Sequence, residues 1–260
     1  EELLGHSERL LLNADAGDLS AISAVSDVSV VEGAQTAPPK LDLSAYSNSE
    51  VDYVTITVKS NGKLSIMGTK SGDDGQDVDG ITNIIGNAKA AIKTILTGPD
   101  VAAKWTFNGS NKGELEFENH KIIFSNIAHI KGGSGDDTFV FQSGAKLTGT
   151  LDGGGGVNKV NYEAIGDKVD INLSMSKTVT VPGSANQEFF TSSLPVSGIK
   201  NVTDIVGGPG QSNLFSDDKG NTLVGNSEGN ALTGGDKGSD TLDGKAGQDT
   251  LTGNKGEDIL

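Results

Sequence analysis

Six leucines near the end of the chain constrain its fold more than any other feature. Leu214, Leu223, Leu232, Leu242, Leu251 and Leu260 follow one another at intervals of 9, 9, 10, 9 and 9 residues. Two residues before each stands a small polar or acidic side chain: Ser212, Asn221, Asn230, Asp240, Asp249 and Asp258. Glycine punctuates every interval, as in GKAGQDTLT and GNKGEDIL. Repetition at a fixed period marks an architecture of stacked units, each contacting its neighbours.

The same unit occurs upstream. Residues 132–140 read GGSGDDTFV, a full match to the pattern G-G-x-G-x-D-x-U-x, in which U is apolar. Residues 153–161 read GGGGVNKVN, with Asn158 in the aspartate position, and 207–215 read GGPGQSNLF, with Ser212 there. A longer block surrounds the short one. Phe124-Ser125-Asn126-Ile127 leads through Ile130 into Gly132-Gly133, and Ile199-Lys200-Asn201-Val202 leads through Ile205 into Gly207-Gly208. Ile81-Thr82-Asn83-Ile84, leading into Gly86-Asn87, reads as an eroded third copy.

Between the blocks, apolar and polar residues alternate, as strands with one buried face do. Val54, Ile56 and Val58 are one such run; Trp105 and Phe107, Leu115 and Phe117, and Val169, Ile171 and Leu173 are others. Turn clusters such as NGSNKG (108–113) separate them. AKAAIKTIL (88–96) has good helix propensity and is open to either a short helix or a degenerate turn of the repeat. Residues 33–50 read as a linker. The expected organisation is an N-terminal segment and linker (1–50), a strand-rich region with degenerate turns and isolated nonapeptides (51–206), and a nonapeptide roll (207–260) that continues past Leu260.

Composition excludes several alternatives. The 35 Asp and Glu against 20 Lys and Arg give a formal charge of −15, which argues against nucleic acid as a partner. Without cysteine there is neither a disulfide framework nor a thiolate metal site. No apolar stretch approaches 18 residues, so no membrane insertion is expected. Leu, Ile, Val and Phe make up about a quarter of the chain, above the roughly 20% floor for disorder. The 37 glycines, roughly twice ordinary usage, therefore need a structural role.

The nonapeptide supplies that role. Its turn needs backbone angles that glycine adopts cheaply. Its apolar eighth residue points inward and stacks on its equivalents. Its sixth residue sits on the turn, where carbonyl oxygens also face outward. Calcium takes 6–8 oxygens from carboxylates and carbonyls alike, so two turns on the same side can enclose it. Alternate units share a side, which stacks Ser212, Asn230 and Asp249 in one column and Asn221, Asp240 and Asp258 in the other. Asp240 with Asp258 is the best expected pair. Asn221–Asp240 and Asn230–Asp249 offer one carboxylate each, and the Ser212 turn is expected to be metal-free. The alternative for the Asn-bearing turns is an amide ladder without metal. Gly238, Gly247 and Gly256 are the turn glycines expected to complete the ligand sets. Asp137 also heads a full motif, but no partner stands 9 or 18 residues away. The extra residue between Leu232 and Leu242 is a candidate for shifting one turn.

The chain resembles the RTX, or repeats-in-toxin, family of secreted bacterial proteins; the clear match covers 207–260 with islands at 132–161. The run WTFNGSNKGELEFE…FSNIAHIKGGSGDDTFVF…GTLDGGGG is similar to the solenoid regions of very large bacterial surface proteins, which act as adhesins, matrix proteins or surface-layer components. The start, Ser7 to Asp15, is similar to the LEPR-XLL segment of some such proteins, with His6-Ser7-Glu8-Arg9 in place of its core. The resemblance implies type I secretion, calcium as the bound ion and calcium-driven folding outside the cell. The first residues lack the regions of a signal peptide, so export is expected by another route unless the precursor is longer.

Other candidate sites are weaker. Gly225-Asn226-Ser227-Glu228-Gly229 fits the G-x-S-x-G of hydrolases, but it falls inside the nine-residue period. His6, His120 and His129 form no H-E-x-x-H zinc motif, and no phosphate-binding GK[ST] loop is present. SGDDGQDVDG (71–80) lacks calcium-loop spacing and reads as a solvated acidic loop. Trp105 reads as core. The expected protein is all-β: a parallel β-solenoid (β-helix) ending in an RTX β-roll. It is expected to be a non-enzymatic extracellular calcium-binding structural protein that self-associates into a fibre or surface array. The alternative is the secretion appendage of a larger secreted enzyme or toxin.

Overall fold

The computed structural model describes residues 10–13, 28–30, 40–44, 53–68, 76–87, 93–166, 169–173 and 196–260. Every regular element among them is a strand, and most strand pairs are parallel. The strands form sheets of twelve, seven and four members. The segment resembling LEPR-XLL lies outside the described residues except for the strand Leu10–Asn13.

In the last sixty residues, successive strands alternate between two sheets. Asp204–Val206, Thr222–Val224 and Thr241–Asp243 join the large sheet; Asn213–Phe215, Ala231–Thr233 and Thr250–Thr252 join the small one. Ile205, Leu223 and Leu242 pair in one row, and Leu214, Leu232 and Leu251 in the other. Residues paired in this way lie one level apart. The extra residue before Leu242 lies in the turn GGDKGSD (234–240) and shifts neither register.

The inward rows form a continuous apolar core. Trp105, Phe139, Val160, Ile205, Leu223 and Leu242 run through the large sheet, each at most 1% exposed. Ile56, Leu96, Ile130, Leu151 and Ile199 form a second buried row in the seven-stranded sheet, each at most 5% exposed. Trp105 stacks on Phe139 at 5.9 Å, and Phe141 lies between Phe107 at 4.4 Å and Tyr162 at 5.0 Å. A rung of three or four residues buries little by itself, so this row-on-row stacking supplies the stability.

The structure departs from the sequence reading in four places. First, the pairing is not parallel throughout. Lys104–Gly109, Lys112–Phe117 and His120–Ser125 form an antiparallel meander, as do Tyr53–Val58, Leu64–Gly68 and Gln76–Val78. Short connections between long strands force this, because parallel neighbours need a long crossover. Second, Lys40–Asp42, inside the expected linker, pairs with Asn83–Ile85 and buries Leu41 and Leu43. Third, Lys93–Thr97 is a strand that points Thr94 and Leu96 inward; the rest of 88–96 lies outside the described residues. Fourth, Asn83 is not the equivalent of Asn126. Ile84 pairs with Phe124, so Asn83 lies opposite Ile123, while Asn126 and Asn201 each take a left-handed corner at φ 55°. Inward packing sets that register, and it overrides the matching of asparagines. Within the acidic stretch 71–80, Asp77 lies in a strand and pairs with Lys59 at 2.6 Å.

Candidate metal centre

Each turn delivers its polar residue to the same place, two positions before an inward apolar residue. These slots stack in two columns. One contains Asn221, Asp240 and Asp258, the other Ser212, Asn230 and Asp249. A single hydrogen bond recurs along both. The backbone N–H of each slot residue donates to the side-chain oxygen of the slot residue one level on. Asn221 donates to Asp240 Oδ1 at 2.9 Å, and Asp240 to Asp258 Oδ1 at 2.9 Å. Ser212 donates to Asn230 Oδ1 at 3.1 Å, and Asn230 to Asp249 Oδ1 at 2.8 Å. Ser212, Asn221, Asn230 and Asp240 are all buried, so these bonds satisfy backbone donors that water cannot reach.

The ladder extends further back than the nine-residue period reveals. Asp137 N–H donates to Asn158 Oδ1 at 3.0 Å, and Asp137 Oδ1 accepts from Ala103 N–H at 3.1 Å. The partner of Asp137 is therefore 21 residues on, not 9 or 18, because the level between them carries the longer strand Leu147–Asp152. Thr203, whose Oγ1 lies 3.4 Å from the Asn158 nitrogen, occupies the next slot. Ala103 and Thr203 stand two residues before Trp105 and Ile205, and that rule, applied to every inward residue, finds them in the sequence.

Asp137 is the most perturbed carboxyl of the set. Burial pushes its pKa up to about 6, against the opposing pull of the Gly133 and Ala103 N–H groups that bond its oxygens. Asp152, absent from the sequence-based candidates, behaves in the opposite way. Burial raises it, but bonds from Asn201, Lys200 and Gly154 outweigh that and hold it below the ordinary carboxylate range. Among the described residues, lysine pairs with carboxylates beside the strands, such as Asp152, Asp218 and Asp243. None of these ion pairs falls on Asp137, Asp240, Asp249 or Asp258.

The donor chemistry fits a hard cation. The slots and turns present only oxygen acceptors, from carboxylates, amides and carbonyls. Asp240 and Asp258 stand one level apart, and Asp240 Oδ2 also accepts from Gly235 N–H at 2.9 Å. Gly238 and Gly256 both take left-handed backbone, and a Cβ on Gly256 would overlap the Gly238 carbonyl oxygen, so that oxygen faces the next turn directly. Gly247 approaches the Glu228 carbonyl in the other column. Asn221 Oδ1 is buried without a hydrogen-bond partner, while its Nδ2 donates to the Val202 and Thr203 carbonyls. Among the described residues, no three acidic or histidine side chains converge, so carbonyl oxygens would have to complete any coordination shell. No protein-family model matches this chain, and no curated protein sequence matches it.

Proposed function

We propose that this chain is a calcium-binding β-solenoid whose C-terminal part is an RTX-type roll, and that it serves as a non-enzymatic structural protein outside the cell. The observation that carries the reading is the stacking of Asp240 on Asp258, buried or half-buried, unpaired by lysine among the described residues and flanked by glycine carbonyls. Asp240, Asp258 and the carbonyls of Gly238 and Gly256 would hold one ion; Asn230, Asp249 and Gly247 would hold a weaker one. Calcium, when bound, supplies the positive charge these carboxylates lack. The chain's own residues do the rest: glycines bring the turns close, and the leucine rows align them.

Two further observations support the reading. The slot N–H ladder already satisfies the backbone, so the fold at each turn does not depend on three carboxylates meeting. The net charge of −15 keeps an unfilled chain expanded, and ion binding relieves that repulsion. Extracellular calcium modules bind at about 10⁻⁴–10⁻³ M, so folding is expected outside the cell, with adhesion, surface-layer or fibre assembly as its use. Titration of calcium into chelated protein, followed by circular dichroism, tests the reading. A gain of β-structure at millimolar calcium supports it, and an unchanged spectrum overturns it.

A further inference from the structure

One turn of the roll breaks the repeat in a way that opens a cavity. Ala231–Thr233 lies between Asn213–Phe215 and Thr250–Thr252 in the small sheet. The turns entering the outer two read GGPGQS and GKAGQD, with left-handed Gly210 and Gly247 followed by Gln211 and Gln248. The middle turn reads GNSEGN. Glu228 stands where its neighbours have glycine, and Gly229 where they have glutamine.

Asn226 makes this exchange possible. Its Oδ1 accepts from the Glu228 N–H at 2.8 Å and from Asn230 Nδ2 at 3.2 Å. Its Nδ2 donates to the carbonyls of Gly208 and Gly210. The turn is thus tied down by side-chain amides, and Glu228 is not among the residues with positive φ. At Gly229 the Gln248 carbonyl comes too close for a side chain, and Gln211 Nε2 lies over it, so the floor of the middle level is open at Ala231, which carries only a methyl. The levels on either side carry Gln211 and Asn213, and Gln248 and Thr250. With levels about 4.8 Å apart, the walls stand about 10 Å from each other. The resulting cavity is about 580 Å³, within the ordinary range for small-ligand sites.

The lining decides what fits. Gln211, Gln248, Ser227 and Thr250 each have a side chain that makes no hydrogen bond among the described residues, so amide and hydroxyl groups face the cavity uncommitted. Glu228 adds one carboxylate. No lysine, arginine or aromatic residue lines it. An anion meets Glu228 with no compensating cation, and an apolar ligand finds little surface. A neutral polyhydroxylated ring, whose every hydroxyl both donates and accepts, matches amides and a carboxylate acceptor. We propose that this notch is a binding subsite for a neutral pyranose unit of a polysaccharide. It shares Asn230 and Gly247 with the weaker of the two proposed calcium sites and lies against that site, while its walls are the outward side chains on either side of the slots.

The test uses the full chain in millimolar calcium, with circular dichroism confirming the same fold in each sample. Calorimetric titrations with dextran, mannan and galactan probe neutral sugars, and alginate serves as the anionic control. At least one neutral polysaccharide is expected to bind, and alginate is not. Ala231→Gln puts a wall side chain across the floor and should weaken binding about tenfold or more, while Glu228→Gln, which keeps the shape, should weaken it only a few-fold. If Ala231→Gln does not fold, truncation of the exposed walls in Gln248→Ala and Thr250→Ala takes its place, with a similar loss expected. Three results would each overturn the proposal: binding of none of the three neutral polysaccharides, binding indifferent to both floor and wall variants, or a notch that takes calcium through Glu228 and no sugar.

Discussion

The backbone N–H of Asp240 donates to Oδ1 of Asp258, one level on, at 2.9 Å. One carboxylate thereby serves two ends: it closes the backbone of the turn before it, and it brings negative charge beside a second buried carboxylate. The two roles separate by substitution. Asp258→Asn keeps an acceptor oxygen, so the ladder bond survives and stability should fall only through weaker calcium binding, an effect that excess calcium reverses. Asp258→Ala also leaves the Asp240 donor unsatisfied and should cost about 1–3 kcal/mol more, which excess calcium does not restore. Chemical denaturation across a calcium series measures both.

Asp137 predicts a pH dependence. Its folded pKa, about 6, lies above the ordinary 3.8, so the folded state holds its proton more tightly than the unfolded one. Its contribution to stability is fully present below pH 3.8 and is lost as pH rises through 6. The loss is at most about 3 kcal/mol for a shift of this size. Carbon NMR of the Asp137 carboxyl in folded protein at millimolar calcium should give a midpoint near 6; a midpoint near 4 contradicts the burial argument.

Two glycines should differ sharply. A Cβ on Gly133 would overlap the Pro99 carbonyl oxygen, which is backbone and cannot swing away. Gly133→Ala is therefore expected to cost more than about 4 kcal/mol. Gly144 has φ 73° but nothing within 4 Å of a new Cβ, so Gly144→Ala should cost only about 1–2 kcal/mol of backbone strain. Thermal unfolding of both variants in parallel checks the ordering.

Tyr162 offers a stabilising change. Its ring stacks on Phe141, but its hydroxyl is fully buried without a partner, and burial raises its pKa. Tyr162→Phe keeps the stack and removes the unsatisfied group. The expected gain is about 1–2 kcal/mol, or a Tm rise of about 2–6 °C. A fall in Tm would mean that the hydroxyl is satisfied in solution.

Legibility followed period. Leu214, Leu232 and Leu251 could be placed in one row, and Leu223 and Leu242 in the other, because a fixed repeat leaves one way to stack them. The same reasoning placed Asn221 beside Asp240 and Asn230 beside Asp249. It failed where levels differ in length. The Ala103 slot precedes Asp137 by 34 residues because two antiparallel strands intervene, and no sequence period covers that gap. The aligned asparagines were also misleading at Asn83, where inward packing of Ile84 against Phe124 set the register.

The sequence by itself determined the all-β class, the two leucine rows and the identity of the slot residues, since glycine spacing and apolar alternation are local instructions. The tertiary structure alone decided three things. It decided that Asp258 gives an oxygen to the Asp240 N–H, that burial lifts the Asp137 pKa to about 6, and that Ala231 lies at the floor of a notch between walls of glutamine, asparagine and threonine. Each depends on what lies one level away, 18 to 34 residues distant in the chain, and hydrogen bonding, desolvation and cavity shape act through space.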